Sequence, residues 1–127
     1  MSLKKYPFCL MILLCSCNPN NLIEKDVISL IEDYEVKKNI IHIVSDNDCS
    51  SCYNKFLELE NSENVNHTIY IFSRYPSTYK KRLLKITENI EIKELENFNL
   101  LLMLREKFNK NGPFEIHVDS NKNITYF

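Results

Sequence analysis

NIIHIVSDNDCSSC, residues 39–52, is the stretch from which the rest of the chain is read. Its first half, Asn39 to Ser45, is a β-branched apolar run of the kind that forms a buried strand. Its second half carries a C-x-x-C pair, Cys49 and Cys52. Beyond the pair, Tyr53 to Leu59 sets apolar Tyr53, Phe56 and Leu57 among Asn54, Lys55 and Glu58, which suits an amphipathic helix. The cysteines are therefore expected at a strand-to-helix junction. The first turn of a helix has unpaired N–H groups and the positive end of the macrodipole, and both stabilise a thiolate. The thiolate is the nucleophile of disulfide exchange, and Cys52, one turn on, can close on Cys49 and release a mixed disulfide.

The chain has 127 residues, 44% of them hydrophobic, and a net charge of −1, which together indicate one globular domain and give no basic patch for nucleic acid. Ala, Gln and Trp are absent and Gly occurs once, a bias that reads as an AT-rich genome and says little about function. The five cysteines fall into two groups, Cys9, Cys15 and Cys17 near the N-terminus and Cys49 with Cys52 in the pair. The body of the protein then holds one possible disulfide, a redox centre more than a stapling framework.

Residues 1–16 read as an export signal: Lys4 and Lys5, an apolar stretch from Phe8 to Leu14, then small residues. Leu14-Cys15-Ser16-Cys17 resembles the bacterial lipobox, with Cys17 at the position that is lipidated. On that reading residues 1–16 are removed, 17–21 form a polar tether, and 22–127 form the folded domain. The protein is then a membrane-anchored lipoprotein of the cell envelope facing the extracytoplasmic side.

Downstream, Ile23, Val27, Leu30, Ile31 and Tyr34 recur at helical spacing across Leu22 to Val36. Val65 to Phe72 is a second strand candidate. Pro76 suits the first turn of a helix running to about Ile90, with Tyr79, Leu83, Ile86 and Ile90 on its apolar side. Asn97 is a plausible N-cap for a helix through Phe108 whose apolar face is Phe98, Leu101, Leu102 and Leu104. From Gly112 to Phe127 the pattern is strand, polar turn at Asp119 to Asn123, strand.

This order resembles the thioredoxin-like superfamily, and within it the membrane-anchored, extracytoplasmic TlpA/ResA-type proteins. The likeness rests on strand, Cys49-Ser50-Ser51-Cys52 and helix; on Gly112-Pro113 directly before a strand, at the place of the family's cis-proline; and on the closing hairpin. It covers about residues 36–127. It implies a three-layer α/β fold with a central mixed sheet of about four strands flanked by helices. It implies thiol-disulfide oxidoreductase activity without a cofactor, with Cys49 attacking and Cys52 resolving. Gly112 and Pro113 would receive the substrate backbone as an added strand. The partners implied are extracytoplasmic protein thiols or disulfides and an upstream redox protein, met by a monomer.

Three features depart from the family. Asp48 stands where Trp is usual, and a carboxylate beside Cys49 raises its pKa against the pull of the helix end. Gly112 replaces the usual Thr, Val or Ile, which loosens the backbone facing the substrate. The sequence reaches Phe127 without the family's final helix. These departures favour an alternative reading, a thioredoxin-fold binding module whose Cys49–Cys52 disulfide is inert. A zinc site is the other competitor for the pair, since C-x-x-C is half of many structural zinc clusters. His42, His67 and His117 are scattered along the sequence, each inside a strand candidate, and supply no second half, so no metal is expected. Lys80, Lys81, Arg82 and Lys85 read as a solvated helix face.

Replacing Cys17 by Ser is expected to release the protein from membrane fractions; unchanged membrane retention together with an unprocessed N-terminus by mass spectrometry would overturn the lipoprotein reading.

Overall fold

A computed structural model describes residues 19–32, 35–46, 64–84 and 90–127. The expected helix at Tyr53 to Leu59 lies outside them, as do Cys17, Asp48, Cys49 and Cys52. In chain order the elements are α1 (Pro19–Ser29), β1 (Lys38–Ser45), β2 (Val65–Phe72), α2 (Pro76–Leu84), β3 (Glu91–Glu94), α3 (Phe98–Phe108), β4 (Phe114–Asp119) and β5 (Ile124–Tyr126). The five strands form one mixed sheet in the order β3-β2-β1-β4-β5. β1 runs parallel to β2 and β2 to β3, whereas β4 is antiparallel to both β1 and β5. Helices cover both faces, so the architecture is three-layer α/β.

The period-two rule assigns each side chain to a layer. On one face Ile41 and Ile43 of β1, Tyr70 of β2 and Phe114, Ile116 and Val118 of β4 pack with Ile23 and Val27 of α1 and Leu100, Leu101 and Leu104 of α3. On the other, Val44, Ile69, Ile71 and Ile92 pack against Tyr79 and Leu83 of α2. β1 is buried on both faces, which is why its sequence is a continuous apolar run.

Local chemistry sets the ends. The Asn97 side chain accepts the Leu100 N–H at 3.1 Å and caps α3. Asn109 closes it in the left-handed conformation at φ 50°, donating its N–H to the Arg105 carbonyl. In the hairpin, the Asp119 carboxylate accepts the N–H groups of Asn121 (2.9 Å) and Asn123 (2.8 Å). Those donors, that of Asn123 foremost, hold its pKa below the usual carboxylate value.

The structure corrects four expectations. The first helix runs Pro19–Ser29 and not Leu22 to Val36, so it begins within the stretch read as tether. The Tyr70 hydroxyl donates to the Leu30 carbonyl at 2.8 Å, and Lys93 pairs with Glu32, so tertiary contacts take over where the helix stops. The second helix ends its described span at Leu84, and Ile90 leads into a strand, Glu91–Glu94, that was not expected. Four residues with alternate charges are too short for periodicity to reveal; pairing with β2 makes them a strand. The sheet thus has five strands, not about four. Finally, the buried stripe of α3 is Leu100, Leu101 and Leu104, while Phe98 and Leu102 are 41% and 44% exposed. Phe98 instead stacks on Phe72 at the sheet margin, with ring centroids 4.7 Å apart.

Leu104, fully buried between α3 and the sheet, should cost about 2–5 kcal/mol when cut to Ala, whereas Leu102→Ala should stay within about 0.5 kcal/mol. Urea denaturation of the two variants side by side measures the contrast.

Candidate functional site

The carboxyl end of β1 is where both layers and three loops meet. Ser45 is 3% exposed and is held from each side. The Tyr79 hydroxyl of α2 donates to its carbonyl at 3.2 Å, and the Arg105 guanidinium of α3 donates through Nη2 to its Oγ at 3.3 Å. The next residue, Asp46, accepts from Ser73 Oγ at 2.6 Å and from the Arg74 N–H at 3.0 Å, which fastens the end of β1 to the end of β2. A carboxylate that collects donors in this way fixes loop geometry more firmly than a neutral acceptor would.

On the opposite side, β4 enters. The antiparallel register pairs Ile43 with Phe114, so Pro113 comes alongside the carboxyl end of β1. The Gly112–Pro113 peptide bond is cis, the conformation expected of it, and Gly112 has φ 131°, a region that only glycine occupies freely. Glycine at this position therefore answers a backbone requirement. The loop ahead of it is tied to α3, because Arg105 Nε donates to the Asn111 carbonyl at 3.0 Å. Of the residues expected to form the site, the structure places Gly112 and Pro113 at the end of β1. Asp48, Cys49 and Cys52 lie outside the described residues; in sequence Cys49 follows Asp46 by three positions.

The histidines are the group that the sequence left scattered and the sheet brings together. Ile40 is flanked in register by His67 on β2 and His117 on β4, and His42 lies two residues further along the same face opposite Glu115. His42 Nε2 and His67 Nδ1 are 3.3 Å apart. The ring centroids are 5.6 Å apart and the planes 14° from parallel, so the centroid separation exceeds the contact by about one ring width and the nitrogens face each other head-on. That is the arrangement of one shared N–H···N proton, not of lone pairs converging on a metal. Among the described residues no group of three or more His, Cys, Asp or Glu side chains is disposed to hold a metal ion.

Glu115 extends the cluster, with Oε1 3.9 Å from His42 Nδ1 and Oε2 3.4 Å from His117 Nε2. The second contact has ion-pair distance without hydrogen-bond geometry, and both buried ring nitrogens of His117 lack a hydrogen bond among the described residues. Burial holds His67 below the ordinary imidazole value of 6.5, Glu115 opposes this, and His117 and Lys38 add to it. His117 is held down by burial first and by Lys38 next, with Glu115 again opposing. Period-two parity alone would have put each histidine on a defined face of its own strand; only the register could show that the faces coincide.

No protein-family model, characterised protein or solved structure matches this chain. Among the described residues no helix is long and apolar enough to cross a membrane.

Because the folded-state pKa values of His67 and His117 lie below 6.5, the unfolded chain takes up protons first as pH falls through that value. Their contribution is thus intact above 6.5 and is lost below it, until the folded-state values are passed. The urea midpoint should fall between about pH 7.5 and about pH 5, and His67→Gln should flatten that fall. An unchanged pH slope in His67→Gln would count against the assignment.

Proposed function

We propose that this protein exchanges thiols and disulfides with extracytoplasmic proteins through Cys49 and Cys52, from the cell envelope, where lipid on Cys17 holds it to a membrane. The observation that supports the reading best is the β1–β4 register. It brings Gly112-Pro113 against the carboxyl end of the strand whose continuation in sequence is Asp48-Cys49-Ser50-Ser51-Cys52. A backbone segment beside a thiol pair is what a polypeptide substrate needs, because an added strand is recognised by main-chain hydrogen bonds whatever its side chains.

The chemistry balances without a cofactor. The Cys49 thiolate attacks one sulfur of a partner disulfide; a new S–S bond forms as the old one breaks, and the departing partner thiolate takes a proton. Cys52, losing its proton, then attacks Cys49, forms the intramolecular disulfide and releases the partner's second thiolate, which is protonated in turn. Two electrons pass from the pair to the partner, and the steps run in reverse when the pair is oxidised, with an upstream redox protein restoring the starting state. Asp48 tempers the reaction. Its charge disfavours the Cys49 thiolate while the helix end expected there favours it, each on the order of 1 kcal/mol or less, so Cys49 is a weakly activated nucleophile. Each step needs one pair, so a monomer suffices.

Cys52→Ser should accumulate mixed disulfides through Cys49, Cys49→Ser should not, and the wild type should reduce or oxidise a dithiol probe. Non-reducing electrophoresis with mass mapping reads the adducts. A wild type inert to the probe, with no adducts in Cys52→Ser, leaves the binding module with an inert disulfide as the function.

A further inference from the structure

Arg105 joins helix, loop and central strand through two different parts of itself. Its carbonyl accepts the N–H groups of Asn109 and, at 3.3 Å, of Lys110, which closes α3. These are main-chain bonds and survive any substitution at the position. Its guanidinium does something else: Nε reaches the Asn111 carbonyl at 3.0 Å and Nη2 the Ser45 hydroxyl at 3.3 Å. One planar fork thus spans from the residue just before Gly112-Pro113 to the last residue of β1, which lies 60 positions from Arg105 in sequence. Both acceptors are neutral oxygens, and among the described residues no carboxylate pairs with the guanidinium. The geometry uses the fork, which lysine lacks, because an ammonium is a point charge that does not reproduce two fixed, divergent N–H directions.

We propose that Arg105 is the positioning residue of the exchange site, setting the distance between the Asn111 to Pro113 loop and the end of β1 that leads to Cys49. The proposal rests on the thiol-disulfide reading and on its polypeptide substrates, which dock along the loop backbone. A small-molecule disulfide has no chain to dock and reaches the cysteines without the loop. Loss of the fork should therefore separate the two kinds of substrate. Misplacing a bound chain by a fraction of its hydrogen-bond length is costly, because the reacting sulfurs must approach in line.

The test uses the full-length protein in detergent, as wild type, Arg105→Lys and Arg105→Met. Initial rates are taken with a disulfide-bonded model peptide and with an aromatic small-molecule disulfide, and amide exchange is followed at Lys110 to Gly112. Both variants should lose on the order of tenfold or more with the peptide while keeping the small-disulfide rate within about twofold, and Asn111 and Gly112 should exchange faster while Lys110, whose main-chain bond remains, should not. Lysine should fail to rescue, which separates the fork from the charge. If wild type is active and the ratio of the two rates is unchanged in both variants, or if both rates fall together, Arg105 has no positioning role. If wild type reacts with neither disulfide, the exchange reading itself has failed, and unchanged amide exchange in the variants would remove the clamp as well.

Discussion

The structure depends on burying β1 on both faces and along both edges at once. Strands flank it on each side and helices lie above and below, so every polar group it carries must be satisfied inside the protein. Three of its side chains are polar and buried, Asn39, His42 and Ser45, and each draws a side-chain partner, the first two from β2 and the third from α3. Asn66 Nδ2 donates to Asn39 Oδ1 at 3.3 Å, His67 meets His42, and Arg105 reaches Ser45. The apolar residues of β1 would tolerate a slip of two positions, since alternation would keep every side chain on its own face. The polar pairs would not, because the slip would strand Asn39 and His42 without their partners on β2. Apolar burial thus drives assembly of the sheet, and the buried polar contacts select its register.

The same contacts make the end of β1 rigid. Tyr79 approaches from one layer and Arg105 from the other, both converging on Ser45, while Asp46 holds the turn after β2. A strand end clamped from two layers is a platform for the segment that follows it. The loop into β4 shares that platform through Arg105 and Asn111. The two stretches proposed for exchange chemistry, the one after β1 and the one before β4, therefore start from backbone positions fixed relative to each other.

Electrostatics divides the sheet unevenly. The face under α1 and α3 carries Ile41, Ile43, Phe114, Ile116 and Val118 at its centre, whereas the opposite face places His42, His67, His117 and Glu115 beside the apolar cluster under α2. A head-on histidine pair accommodates one proton between its rings, and a second would set two N–H donors face to face at 3.3 Å, one of them on an imidazolium. Burial favours the neutral imidazole at His67 and His117, and Glu115, partly exposed, is the one carboxylate among the described residues within reach of both His42 and His117.

Local sequence chemistry decided the strands at 38–45 and 65–72, the Asn97 cap, the polar turn at Asp119 and the proline that opens β4. Each of these follows from residues within a few positions of one another: β-branched runs, a side-chain acceptor three residues before its N–H donor, a carboxylate receiving the N–H groups of its own turn. The span of the first helix, the strand at Glu91–Glu94 and the buried stripe of α3 were not readable in this way, because each is settled by what it packs against. The tertiary structure alone decided that three histidines far apart in sequence share one face, and that Arg105 reaches Ser45. Sequence sets the period with which side chains alternate, but strand order and register decide which alternating faces coincide, and those depend on contacts between segments that the chain does not place next to each other.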